Sequence, residues 1–321
     1  MDTNEHPLHR AGSPTVPRGH TVGGQALVEG VLMRGPDRVA MAARRPDGRI
    51  AVRVAPLPGW PRRVASIPLM RGVVALAESV HLGVRALQWS ASVADPGQRS
   101  ARATAGSMLG AVVALLAAFS FFTAVPAVVA SWTIPIVGSV GRTVVEGTLG
   151  LAMLVGYIGA VRRHPLVLRT FGYHGAEHKA VAAYEQGAVL DVGEARRFST
   201  RHERCGTTFM LDVAVLSALL HMVTNSMWPT GLPMVAARVL AIPVVAGIAY
   251  EVLRATAGGA GSRWARMVSR PGLWLQSLTT AEPDPDQLEV ALVALRAALP
   301  APEGPGSVER HRLAELRDLH R

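Results

Sequence analysis

The sequence predicts a mainly α-helical, multi-pass membrane protein with about four transmembrane helices, a small N-terminal β-hairpin element and a cytoplasmic helical loop. Three observations carry this prediction. Hydrophobic residues make up 49% of the 321-residue chain and mean hydropathy is +0.25, which suits a membrane protein better than a soluble enzyme. Four stretches stay apolar for about the 20 residues that a helical crossing requires. The arginines between those stretches alternate in density along the chain.

The formal charge of +10 admits either a nucleic-acid or a membrane partner. The arginines cluster beside apolar runs rather than along one basic domain, so the expected partner is the lipid bilayer and no nucleic acid is expected. Cys205 is the single cysteine, which excludes an intramolecular disulfide framework. Residues 1–20 hold no apolar core; they read as a disordered tail rather than a signal peptide.

Residues 21–98 read as a cytoplasmic N-terminal segment. In TVGGQALVEGVLMRGP, Gln25 and Glu29 would share a face if this stretch is helical, and glycines allow close backbone approach. Val39 to Arg45 and Arg49 to Val54 flank Pro46-Asp47-Gly48, a hairpin signal. Val64 to Val93 is mostly apolar but interrupted by His81 and by Arg71, Glu78 and Arg85 at seven-residue intervals, the pattern of an amphipathic helix.

The transmembrane core is expected over 99–280. Its crossings fall at about Gly106 to Trp132, Thr143 to Val161, Phe209 to Trp228 and Leu232 to Leu253. Pro126 should kink the first. Asp212, His221 and Asn225 lie in the third and Arg238 and Glu251 in the fourth, where polar groups need a partner or a function. Arginine density runs rich, poor, rich, poor, rich from Arg99 to Arg270. That places both termini and the loop 162–208 on the cytoplasmic side of the cell membrane. A C-terminal amphipathic helix is expected over 281–300, from Leu288, Leu292, Leu295 and Leu299 after Asp284 and Asp286, and a charged tail over 301–321.

The chemistry is expected in the 162–208 loop. His174-Gly175-Ala176-Glu177-His178 matches the H-x-x-E-H pattern of inverted zinc hydrolases. Alanines at 176, 180, 182 and 183 favour a helix and Gly187 would stop it. On that helix His174 and His178 share a face and can hold one metal, with Glu177 beside them as the base for a water. The same residues would also serve a plain surface helix, so further ligands must come from elsewhere. The topology offers His202 and Cys205 at the mouth of the third crossing and Glu251 at the end of the fourth, all ordinary zinc-ligand types. Zinc or a similar divalent metal is the expected cofactor. Arg34 and Arg71, with Gln25 and Glu29, are candidate substrate contacts.

GGQALVEGVLMRGP, YHGAEHKAVAAYE, HERCGTTF, PVVAGIAYEVLR and PGLWLQSLTTAEPDPDQLEVAL together resemble the YqhQ-like bacterial membrane proteins, domain of unknown function 1385, from about Gly23 to Leu299. The resemblance implies a multi-pass inner-membrane protein and a predicted metal-dependent enzyme. It supports His174, Glu177, His178, His202, Cys205 and Glu251 as functional positions without giving a substrate. A zinc-dependent hydrolase is the first expectation. A non-catalytic membrane protein with a structural or sensing metal, and a metal or proton transporter, are the alternatives; oligomeric state is left open.

Overall fold

The computed structural model describes residues 22–57, 67–95, 97, 105–227, 232–258 and 262–300. The expected tails at 1–20 and 301–321 lie outside these. The chain opens with four strands, β1 (Gly23–Leu27), β2 (Gly30–Arg34), β3 (Arg38–Arg44) and β4 (Ile50–Pro56). They form an antiparallel sheet in the order β1-β2-β3-β4, with Gln25 opposite Leu32 and Met33 opposite Ala40. The hairpin expected around Pro46-Asp47-Gly48 is β3-β4, and Gly48 takes the left-handed φ of 83° that its turn requires.

The stretch before it is not helical. Gln25 sits inside β1 and Glu29 lies in the β1–β2 turn at φ 50°, so the two do not share a helix face. Glycines at 23, 24 and 30 disfavour a helix, while apolar residues at 27, 31, 32 and 33 pair and bury as strands.

Nine helices follow among the described residues: α1 (Met70–Ala94), α2 (Ala105–Ser131), α3 (Ile134–Val161), α4 (Pro165–Glu185), α5 (Val192–Ala195), α6 (Gly206–Met227), α7 (Leu232–Gly258), α8 (Arg263–Thr279) and α9 (Pro285–Ala298). Three carry segments long and apolar enough to cross a membrane: Val140–Val161 in α3, Gly206–Asn225 in α6 and Ala236–Thr256 in α7. These correspond to the second, third and fourth expected crossings. The first is helical as α2 and contains Pro126, but its apolar stretch, Leu116–Ser131, is shorter than the others. The protein is predominantly α and carries helices suited to a membrane.

Several polar residues in those helices are gathered into one cluster. Glu146 of α3 meets Arg238 of α7 at 2.8 Å and His221 of α6 at 3.1 Å. Asn225 donates to Glu146 at 3.3 Å and to Thr143 at 3.2 Å, and accepts from Arg238 at 2.9 Å. In an apolar surrounding, each of these groups needs the others. His221 and Asn225, polar groups that needed a partner, both find it in Glu146, which nothing in the sequence marked.

The part outside the candidate crossing segments is built from three distant stretches. α4 and α9 pack on one face of the sheet, where Tyr173, Ala176, Ala180, Leu288 and Leu292 meet Val31, Met33 and Ala40. α1 covers the other face, with Ala86 against Leu27, Leu32 and Met41. Asp284 caps α9 in a capping box with Gln287, and Gln287 also donates to Arg169 O at 3.0 Å, tying α9 to α4. These contacts set α4 in place, and α4 carries the histidine motif.

Candidate metal centre

α4 starts with Pro165 at its first turn and is followed by Gly187 at φ 68°, so local chemistry fixes both ends of the helix. His174 and His178 are one turn apart on it, with ring centroids 4.5 Å from each other. Cys205, just before α6, completes the group. One donor atom from each of His174, His178 and Cys205 lies within 4.8 Å of the others.

The imidazoles are oriented by backbone carbonyls. His174 Nδ1 lies 2.9 Å from Thr279 O, and His178 Nδ1 lies 2.6 Å from Thr200 O. A carbonyl only accepts, so each Nδ1 carries the proton and each Nε2 keeps its lone pair. His174 Nε2 is 3.2 Å from Cys205 Sγ. Fixing the far nitrogen in this way is how proteins aim histidine at a metal. Two imidazole nitrogens and a sulfur form a donor set that suits zinc or a similar borderline ion. The residues present therefore fit such a metal.

His202 stands beside this group rather than in it. Its ring is 5.8 Å from that of His178, its Nε2 contacts Glu185 at 3.0 Å, and its Nδ1 accepts from Arg204 N at 3.4 Å. Burial lowers the His202 pKa, against the opposing pull of Glu177 and Glu203. The ring is thus a neutral donor to Glu185, which also pairs with Arg204. Gln276 of α8 holds the His202 backbone from both sides, accepting from its N–H and donating to its carbonyl, each at 2.9 Å.

Glu251 is not brought to the histidines. Its carboxylate is taken by Arg71, whose Nε lies 2.6 Å away, and by the Leu69 N–H at 3.2 Å. The pairing follows from packing: Gly72 lets α1 approach Tyr250, and Gly247 lets α7 approach Leu69. Charge on α1 is thereby matched by charge on α7. The structure therefore pairs the expected ligand Glu251 with Arg71, and the group that could hold a metal consists of His174, His178 and Cys205.

Glu177 is buried between the two histidines in sequence and faces β1, where the Gly24 N–H donates to it. Burial raises its pKa, and the nearby His174 and His202 rings and the Gly24 hydrogen bond only partly oppose this. A side chain at position 24 would press on Glu177 Cγ and Cδ. Glu177, His174 and Cys205 line one cavity of about 230 Å³, together with Gly24, Gln25, Ala26 and Arg204.

Of the four substrate candidates, only Gln25 lines this cavity, and it also donates to Ser79 O at 3.3 Å. Arg34 pairs with Glu78 at 2.9 Å, Arg71 with Glu251, and Glu29 with Arg169 and Tyr173. Thr200, Gln276 and Thr279, which orient the site, escaped sequence reasoning, since two of them act through carbonyls that every residue possesses.

A family described as a protein of unknown function (DUF1385) matches residues 67–301, and the chain belongs to that family. It is 34% identical over 295 residues to the uncharacterized protein YqhQ of Bacillus subtilis (strain 168), an alignment covering 86% of this chain and 92% of that one. No solved structure matches.

Proposed function

We propose that the chain is a zinc-dependent hydrolase of the cell membrane, with its site at the cytoplasmic bilayer surface. The observation that carries this reading is the convergence of His174, His178 and Cys205 beside a cavity that also holds the Glu177 carboxylate. Three protein donors next to a cavity leave room for a further ligand, as catalytic zinc sites do. A bound metal there would polarise a substrate oxygen or acidify a water.

The remaining roles belong to the chain. His174 and His178 offer Nε2, held in place by Thr279 O and Thr200 O. Cys205 offers Sγ, which also lies 2.8 Å from Thr207 Oγ1. Glu177 takes a proton at its carboxylate and returns it to the leaving group, a task suited to a buried carboxyl with a raised pKa. Gln25 contacts the substrate in the cavity. The arginine-rich loop around α4 supports a cytoplasmic position for this end of the helices.

The test compares Glu177→Gln with His174→Ala and Cys205→Ser. Glu177→Gln keeps its metal and loses in-cell function, by about 10²–10⁴-fold in turnover where an assay exists. The other two lose metal. A Glu177→Gln variant that complements a deletion as well as wild type at equal expression would leave a structural or sensing metal site in place of the hydrolase.

A further inference from the structure

α8 has two faces with different tasks. Ala265, Ser269, Gly272, Leu275, Gln276 and Thr279 are buried against the rest of the protein. The outward side is divided. Trp264, Met267, Pro271 and Trp274 recur at three- and four-residue intervals, and Trp264, Met267 and Trp274 are 56%, 64% and 55% exposed. Arg263, Arg266 and Arg270 follow the same spacing along an adjacent exposed stripe.

The attachments of α8 show where it lies. It begins five residues after α7 ends, beyond the apolar segment that closes at Thr256. In its middle, Gly272 sits against Thr208 and Leu275 packs with Leu211, both in the first turns of α6. At its C-terminal end, Arg162, the residue after the α3 crossing segment, donates to Ser277 O, Leu278 O and Thr280 O at 3.1, 2.7 and 2.8 Å. All three attachments are to the same end of the membrane helices. α8, about 25 Å long, therefore runs across that end.

We infer that α8 is an in-plane membrane helix that binds anionic phospholipid headgroups. Tryptophan and methionine facing outward at the level where crossing segments end are placed for the boundary between headgroups and acyl chains. The neighbouring arginines are placed for phosphate, which their guanidinium groups match in geometry and charge. A protein partner would need to cover the same face without displacing lipid from helices that end beside it. The opposite face of α8 holds His202 through Gln276 and His174 through Thr279 O, so the helix sets the candidate metal centre at headgroup depth. The inference does not require a bound metal.

The test uses the full chain in nanodiscs of phosphatidylcholine alone or mixed with phosphatidylglycerol. Lipids brominated near the headgroup end of the acyl chain quench nearby tryptophans. Wild type is compared with Trp264→Phe, Trp274→Phe and the double variant, since the chain has six tryptophans. The expected result is a shallow-quenched component that shrinks in each single variant and shrinks further in the double one, down to the part owed to the other tryptophans. Shallow quenching that is the same in wild type and the double variant, as under a covering protein or in open water, overturns the inference. Native mass spectrometry during delipidation then counts retained phosphatidylglycerol. Arg263→Gln and Arg270→Gln each lower its retention by about fivefold at low salt, and high salt narrows the difference. Equal retention of both lipids by wild type and variants overturns the headgroup assignment.

Discussion

Replacing Gly175 by alanine sets a gain in helix propensity against a collision at the site. Gly175 lies between the two histidines, where α4 passes the segment that follows α8. A methyl group there would overlap the Ala281 carbonyl oxygen and lie 3.2 Å from Thr200 Cγ2. The obstacle is backbone and is held, because the Ala281 N–H donates to Phe171 O at 2.9 Å. A comfortable contact is roughly 3.5 Å, so the segment must retreat by more than roughly 1 Å. It carries Thr279 O, which orients His174, and Thr200 O orients His178. Alanine in a helix interior gains about 0.8–1.0 kcal/mol over glycine, while overpacking costs about 1–3 kcal/mol. A clash with held backbone belongs at the upper end of that cost, so the steric term prevails, with a net loss of up to about 2 kcal/mol and both rings turned from Cys205. Denaturant unfolding in detergent and metal content by mass spectrometry measure the two effects. Gly159→Ala, where no atom lies within 4 Å, is the control and loses neither. A Gly175→Ala protein with wild-type stability and full metal would refute the close packing of this segment on α4.

Glu251→Gln retains its metal, because its carboxylate serves Arg71 and Leu69; loss of metal in this variant would restore Glu251 to the ligand set. Glu146→Ala leaves Arg238 without its carboxylate between helices and lowers stability by about 3–5 kcal/mol, read from unfolding in detergent; an unchanged midpoint would show that water reaches Arg238. Chelation lowers the unfolding temperature and zinc restores it where magnesium does not, since nitrogen and sulfur donors select against a hard ion; equal rescue by magnesium would contradict the donor set. A reporter fused after Gln186 behaves as cytoplasmic and one at the α2–α3 junction around 132–133 as external, and the reverse result would invert the proposed orientation.

The sequence by itself determined what depends on local order. Apolar length marked α3, α6 and α7 as helices suited to a membrane, turn chemistry marked Gly48, and the acidic residues at the start of α9 marked where that helix begins. Helical spacing put His174 and His178 on one face, because four residues make about one turn. Only the tertiary structure decided the third member of that group. Cys205, His202 and Glu251 were equivalent as ligand types. Packing of α1 on α7 gave Glu251 to Arg71, Glu185 took His202, and the turn before α6 delivered Cys205 to His174. Carbonyls such as Thr279 O and Thr200 O carry no side-chain signature, so their hold on the imidazoles could not be read before the segments bearing them met α4. Glu146 was hidden for a similar reason: a single carboxylate in an apolar helix acquires meaning when two other helices bring His221 and Arg238 against it.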